Sequence, residues 1–133
     1  MRLIICVDDN DGLMFNKRRQ SRDRAVISDI LKLTEGKKLY INEYSAALFD
    51  DKAAVIVEND FMDTAESGDF CFAENVSLSG YSDRIDEVTV YHWNTVYPTD
   101  FKADVDYRKM TLIESIDFEG NSHPKITREV YKR

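Results

Sequence analysis

The chain has 133 residues, of which 43% are hydrophobic and 11% aromatic, and this is the size and apolar content of one folded domain. We therefore expect a single domain over residues 1–133. The formal net charge is −7, and segment 44–106 carries most of the acidic excess. Nucleic-acid binding usually needs a broad basic face, so this acidic balance argues against general affinity for nucleic acid. Binding at a local basic site is kept as an alternative.

The two cysteines, Cys6 and Cys71, lie in apolar surroundings and form no CxxC pair, which predicts reduced thiols with a packing role. No apolar segment approaches the roughly 20 residues of a membrane span, and no secretory leader is recognisable. We expect a cytoplasmic protein without a membrane partner.

The N-terminal third predicts a buried strand followed by a helix. Arg2–Val7 is rich in β-forming residues and is stopped by the turn formers of Asp8–Gly12. A polar loop is expected to continue through Gln20. Ser21 is the predicted N-cap of a helix whose apolar residues recur at helical spacing until Gly36 provides a stop.

The rest of the chain predicts short strands separated by helical turns. In the middle, strands are expected at residues 38–42, 53–57 and 69–72, and helical turns at 44–49 and 61–66. Near the C-terminus, alternating apolar residues predict antiparallel strands at 87–94, 109–118 and 125–132.

The order of these elements resembles dihydrofolate reductase. The segments that carry the resemblance are the first strand with its Asp-rich loop and Gly12, the helix after Ser21, Lys37–Ile41, Tyr97–Asp106 and Met110–Arg133. The resemblance implies an α/β fold: a mixed, mainly parallel sheet flanked by a few helices, with an antiparallel C-terminal hairpin. It also implies that Asp23 is the counterpart of the acidic residue with which that family hydrogen-bonds its pterin.

The cofactor positions of that family are changed in this sequence. Its Gly-Arg step after the second strand, where arginine grips the extra phosphate of NADPH, is matched by Asn42 and Glu43. Its Gly-Gly turn and the following helix are also missing, because Val76–Tyr81 runs almost directly into Asp83 and the next strand. We therefore predict no cofactor, and residual NADPH-dependent reduction is the last of the alternatives.

Two other stretches, Lys17–Asp23 and Ser122–Glu129, are similar to short uncharacterised bacterial proteins, some of which are labelled ribonuclease Z. That label implies a dizinc hydrolase with a cluster of metal-binding histidines. The chain has only two histidines and cannot build such a cluster. An RNA- or nucleotide-phosphate-processing protein is kept as an alternative function.

No metal site is predicted. The Asp-rich turn Asp8–Gly12 superficially suggests a calcium loop, but the twelfth position is Arg19 instead of glutamate, which excludes an EF-hand.

A basic stretch before the predicted helix is the candidate anion-binding site. Arginine binds phosphate through two parallel hydrogen bonds, and a helix N-terminus adds free amides. The alternative is a solvated loop that balances the acidic middle of the chain. The candidate anion-binding residues are Lys17, Arg18, Arg19, Arg22 and Arg24.

Asp23 and His123 are the catalytic candidates. His123 is a possible general acid or base in a turn, and the alternative is an exposed histidine without a role. For Asp23 the alternative is a surface residue that favours the helix dipole. An aromatic set around Trp93 and Tyr97 suits either ligand stacking or packing.

The leading functional prediction is a non-catalytic or altered relative of dihydrofolate reductase that binds an unknown small molecule, a phosphate-bearing ligand or a protein.

Overall fold

The computed structural model describes all 133 residues. Three short 3-10 segments, Lys52–Ala54, Ser79–Arg84 and Tyr107–Lys109, connect the regular elements. In chain order those elements are β1 (Arg2–Val7), β2 (Gly12–Phe15), β3 (Arg18–Arg19), α1 (Arg24–Leu33), β4 (Leu39–Ile41), α2 (Glu43–Ala46), β5 (Ile56–Val57), α3 (Phe61–Thr64), β6 (Phe70–Phe72), β7 (Glu87–His92), β8 (Phe101–Lys102), β9 (Thr111–Phe118) and β10 (Ile126–Lys132).

The main sheet has seven strands in the order β5-β4-β6-β1-β7-β10-β9. The first five are parallel to their neighbours, and β10 is antiparallel to both β7 and β9. The predicted mixed, mainly parallel sheet with an antiparallel C-terminal hairpin is confirmed. No helix has the length and apolar character needed to cross a membrane.

β1 is the central strand of the main sheet, and this position explains why its sequence is an uninterrupted apolar run. Leu3, Ile4 and Ile5 are all fully buried, because the sheet is covered on both faces. Successive side chains point to opposite faces. Ile4 joins the cluster under α1, where Val26 and Ile30 pack, and the alternate residues of β1 join the cluster on the other face.

The expectation of a polar loop through Gln20 is wrong. β2 and β3 form a hairpin, and β8 pairs with β2 to make a separate three-stranded sheet. The hairpin turns at Asn16 and Lys17, whose φ angles of 54° and 62° are both left-handed. Leu13 and Met14 face the core instead of solvent, with 5% and 3% exposure.

Two element boundaries also differ from the sequence expectations. The N-cap of α1 is Asp23, not Ser21, because the Asp23 carboxylate accepts the backbone N–H of Ala25 at 2.8 Å. The expected strand over 53–57 begins as a 3-10 turn because Asp51 accepts the backbone N–H of Ala53, so that only its last two residues join the sheet.

Candidate functional site

The candidate site lies where the carboxyl ends of β1, β6 and β7 meet the start of α1. Ligands of open parallel sheets bind at this edge, because the loops that follow neighbouring strands diverge there. The loop Gly120–Pro124, which joins β9 to β10, folds back over the same edge and contacts Asp23.

The Asp23 carboxylate is buried, with 3% exposure, and is surrounded by donors. Burial alone would raise its pKa, but the donors outweigh this and hold the pKa well below the ordinary value of 3.8. The carboxylate is therefore ionised at neutral pH and acts only as an acceptor. Its donors, each at 2.8 Å, are the backbone N–H groups of Asn121, Ser122 and Ala25 and Nδ1 of His123.

His123 is buried, with 8% exposure, so the alternative of an exposed turn histidine does not hold. Because ionised Asp23 can only accept, the hydrogen-bond network assigns the Nδ1–H tautomer to a neutral imidazole and leaves a lone pair on Nε2. Nε2 lies 3.0 Å from Ser21 Oγ and 2.9 Å from the Tyr97 hydroxyl. The structure thus arranges a carboxylate, an imidazole and a hydroxyl in series.

The imidazole is held in place from two further sides. The Trp93 ring stacks on it, with centroids 4.7 Å apart and planes at 23°. Gly120 allows the loop to approach, because a Cβ there would lie 2.7 Å from Asp23 Oδ2 and 2.6 Å from the carbonyl oxygen of His123. The loop geometry thus depends on a residue without a side chain.

A groove of about 300 Å³ opens beside this network, between α1 and the segment Leu48–Asp51. Its floor is apolar and its two walls carry opposite charges. The floor residues are Ile27, Leu31 and Leu48; Arg22, Arg24 and Ser28 form one wall, and Asp50 and Asp51 form the other.

A much smaller pocket lies deeper, beside Ser21, with a volume of about 20 Å³. This is room for one water molecule or a group of similar size. The groove and this pocket share Arg22, Asp23, Ile27 and Leu48, so they adjoin at the start of α1. The apolar residues that line the small pocket on its inner side are Cys6, Leu13, Val26, Phe72 and Trp93.

An internal ion pair lines this pocket. Arg19 donates to both carboxylate oxygens of Glu74, from Nε at 2.9 Å and from Nη2 at 3.1 Å. Ser45 Oγ donates to the same carboxylate at 2.7 Å, and the Arg19 guanidinium stacks over the Tyr44 ring. Glu74 is only 8% exposed, so its charge is compensated entirely by these neighbours.

The five candidate anion-binding residues lie in three different settings. Lys17 and Arg18 are exposed at the β2–β3 turn, and Arg19 belongs to the ion pair with the buried carboxylate. Arg22 and Arg24 are exposed on the groove wall and form no ion pair. Anion binding by this stretch stays a prediction. Arg22 and Arg24 line the groove beside α1, and Lys17 lines a separate cavity of about 290 Å³ at the hairpin.

The region matched to the nucleotide site of dihydrofolate reductase carries amides and carboxylates. Asn42 N-caps α2 by accepting the backbone N–H of Ser45 at 3.1 Å, and its amide donates to Asn75 at 2.8 Å. Glu43 opens the same helix with an exposed carboxylate. A phosphate placed at this edge would face Glu43, and the nearby Arg19 guanidinium, which donates to the Tyr44 carbonyl oxygen at 3.2 Å, is already paired with Glu74.

The other sequence candidates have structural roles. Burial raises the pKa of the Cys6 thiol, and it raises the pKa of Cys71 to about 12, so neither is a thiolate at neutral pH. His92 is hydrogen-bonded, with Nε2 2.5 Å from Glu129. Asp8 accepts backbone N–H groups of its own turn, and no group of three or more His, Cys, Asp or Glu side chains is placed to hold a metal.

Sequence reasoning missed two members of the network. Ser21 was assigned only a capping role, and Tyr97 appeared only within an aromatic set. Each lies at least 26 residues from His123 in the chain, so no local spacing pattern could connect them. The remaining signal was their position: Ser21, Asp23 and His123 all fall within Lys17–Asp23 and Ser122–Glu129, the two polar stretches that the sequence singled out.

Comparisons with known proteins identify the fold class. No family model matches the chain, and no curated protein matches it. A solved structure does match: dihydrofolate reductase from Enterococcus faecalis in complex with NADP(H) and RAB-propyl. It is similar over 99% of this chain and 95% of that chain, with a TM-score of 0.67 and 10% sequence identity. The chain therefore has the dihydrofolate reductase fold, and an identity this low extends the likeness to the fold alone.

Proposed function

We propose that this protein is a cytoplasmic ligand-binding relative of dihydrofolate reductase that does not use NADPH. Its ligand is a small zwitterionic molecule held in the groove between α1 and Leu48–Asp51. The observation that carries this proposal is the pairing of two unpaired arginines on one groove wall with two aspartates on the other, above an apolar floor.

The basic wall supplies the anion contact. Arg22 and Arg24 are exposed and make no ion pair within the chain, so both guanidinium groups are available. A guanidinium binds a carboxylate or phosphate through two parallel hydrogen bonds, which fixes the orientation of the bound group. The free amides at the start of α1 favour the same negative charge.

The acidic wall supplies the second contact. Asp50 is exposed and makes no ion pair, and Asp51 is bonded only to the backbone N–H of Ala53. These carboxylates accept hydrogen bonds from an ammonium or another donor on the ligand. Ile27, Leu31 and Leu48 then cover the apolar part between the two charged ends. The groove volume of about 300 Å³ lies at the lower end for small-molecule sites, which favours an amino acid or dipeptide in size.

The proposal excludes NADPH for an electrostatic reason. Glu43 opens α2 where the reductase family places its phosphate-gripping arginine, and Glu74 lies two residues after the end of β6. The Glu43 carboxylate repels a dinucleotide phosphate, and the Arg19 guanidinium that could offset this charge is already paired with Glu74.

Thermal stability measured against a ligand panel tests the proposal. The panel contains amino acids and dipeptides, with inorganic phosphate and NADPH for comparison. We expect stabilisation by at least one zwitterion, since a ligand at one hundred times its Kd adds about 2.7 kcal/mol. NADPH should add nothing.

A pair of charge-reversal variants locates the effect. Arg22→Glu with Arg24→Glu should abolish the stabilisation. The control double variant, Lys17→Glu with Arg18→Glu, makes the same change in net charge at the exposed hairpin turn and should retain the stabilisation by the zwitterion. Equal losses in both double variants, or no stabilisation by any zwitterion, would refute the groove as the binding site.

A further inference from the structure

We infer that Ser21 is a nucleophile, activated by His123 and oriented through Asp23, and that it transfers a small acyl group from an ester to water. This activity goes beyond ligand binding. Only the choice of alcohol in the ester rests on the proposed function, because the geometry of the three residues stands on its own.

The three side chains have the spacing that nucleophilic catalysis requires. Ser21 Oγ is 3.0 Å from His123 Nε2, and His123 Nδ1 is 2.8 Å from Asp23 Oδ2. A base within hydrogen-bond reach of a hydroxyl, itself oriented by a carboxylate, is the arrangement that activates serine on many unrelated folds. Here the carboxylate is ionised and the imidazole presents its lone pair to the hydroxyl.

Tyr97 positions the serine. Its hydroxyl lies 3.3 Å from Ser21 Oγ and 2.9 Å from Nε2 of His123, so it contacts both partners of the proton transfer. When it donates to Ser21 Oγ, the Nε2 lone pair is left to the proton of Ser21, which lies 3.0 Å away. Tyr97 touches no reacting atom of a substrate in this scheme, so it is a positioning residue. Trp93, stacked on the imidazole, prevents the ring from turning away.

An oxyanion donor is available next to the nucleophile. The backbone N–H of Arg22 makes no hydrogen bond within the chain. The residue after a nucleophilic serine commonly supplies an N–H of this kind to the oxyanion of a tetrahedral intermediate. The N-terminus of α1, which begins two residues later, adds a favourable dipole.

The two cavities define the substrate class. The pocket of about 20 Å³ beside Ser21 is lined by apolar residues on one side and by charged residues on the other, and it has room for a methyl group, which limits the acyl group to the size of acetyl. The adjoining groove takes the alcohol part, whose charges match Arg22 and Arg24 on one side and Asp50 on the other. The substrate is therefore an acetyl-sized ester of a small zwitterionic alcohol.

The reaction is balanced as two transfers. Ser21 Oγ attacks the carbonyl carbon while its proton passes to Nε2 of His123, and the intermediate collapses with cleavage of the bond to the alcohol oxygen. The alcohol leaves with that proton. Water then attacks the acyl-serine, gives a proton to Nε2, and the proton returns to Ser21 Oγ as the carboxylic acid departs. Asp23 stays ionised throughout.

Incubation with p-nitrophenyl acetate, followed by acid quenching and peptide mass spectrometry, tests the inference on the wild-type protein. We expect one acetyl group on Ser21 and a burst of nitrophenol. Acetylation confined to lysines or the N-terminus would overturn the inference and leave the network a structural contact.

Variants separate catalysis from background ester cleavage. Ser21→Ala should abolish the burst, because no hydroxyl is left to acylate, and His123→Asn should lower the rate constant of the burst by about 10²-fold or more, the usual contribution of a general base. Ser67→Ala, at an exposed position far from the site, should leave the burst unchanged. An unchanged burst in Ser21→Ala would contradict the inference.

The two proposals fail separately. Acetyl-Ser21 without stabilisation by any zwitterion would retain the nucleophile and discard the zwitterionic alcohol. Stabilisation by a zwitterion without acetyl-Ser21 would retain the groove and discard the nucleophile.

Discussion

Arg19 and Glu74 form a bidentate ion pair at the carboxyl edge of the sheet, with N–O distances of 2.9 and 3.1 Å. Glu74 lies just after β6 and Arg19 ends the β2–β3 hairpin, so the pair ties the small sheet to the large one. The pair also occupies the partly buried Arg19 guanidinium, which is therefore not free to bind a phosphate at this edge.

Removing one partner of this pair should be costly. Glu74→Ala leaves Arg19 partly buried without a counter-charge, and we expect a loss of about 3–5 kcal/mol in the free energy of unfolding. The double variant Arg19→Met with Glu74→Leu should lose less, because no charge is left behind. Urea denaturation measures both, and a double variant less stable than Glu74→Ala would contradict this account.

Stability should fall in acid through Asp23. Its folded pKa is lowered, so below the ordinary value of 3.8 the unfolded state binds the proton more readily and folding loses this contribution. At neutral pH the contribution is fully present. The Asp23→Asn variant lacks the stabilising contribution of this carboxylate at every pH. The difference in the free energy of unfolding between wild type and Asp23→Asn should therefore narrow as the pH falls below 3.8. A gap that is the same at about pH 3 and at neutrality would be the contrary result.

Gly120→Ala should disturb the network from the loop side. The added methyl meets Asp23 Oδ2 at 2.7 Å and the backbone oxygen of His123 at 2.6 Å, so the loop must shift. We expect a loss of about 1–3 kcal/mol, as for other overpacked sites. Gly80→Ala is the matched control, because its methyl would meet nothing within 4 Å. Thermal unfolding of both variants compares them, and equal stability of the two would refute the close approach.

Lys17→Gly should stabilise the hairpin. Lys17 has a φ of 62°, a left-handed conformation that costs a residue with a side chain about 1–2 kcal/mol. Glycine adopts it freely but loses more chain entropy, so we expect a net gain of about 0.5–1 kcal/mol. Lys17→Ala removes the charge and keeps the backbone strain, so it should give no gain. Chemical denaturation checks this, and equal gains in both variants would point to the charge instead.

Much of the sheet could be predicted, because its central strands are buried on both faces and read as apolar runs. β1 and the C-terminal strands were recognised in this way. The small sheet that contains the β2–β3 hairpin was not recognised. Gly12 and Met14 of β2 pair with β8, whose Phe101 and Lys102 lie more than eighty residues away in the chain. The hairpin turn also uses Asn-Lys in place of the Asn-Gly that normally marks such a turn.

The site was predicted only as separate residues. Asp23 and His123 were each named as weak candidates, and the structure brings them to 2.8 Å, although 100 residues separate them. The pattern in a single sequence shows the spacing of apolar residues within one helix or strand. It contains no signal for contacts between loops that are far apart in the chain. The same limit explains why Arg19 was grouped with exposed cations, since its partner Glu74 is 55 residues away.

The central claim is that the ligand site is the charged groove and not the edge that corresponds to the dinucleotide site of dihydrofolate reductase. Amide chemical shifts of the isotope-labelled protein, recorded with the most stabilising zwitterion of the panel and separately with NADPH, test this most directly. The account predicts that the zwitterion shifts amides of residues 22–31 and 48–51, and that NADPH shifts none. Saturable NADPH shifts at residues 42–45 and 74–76 would contradict it.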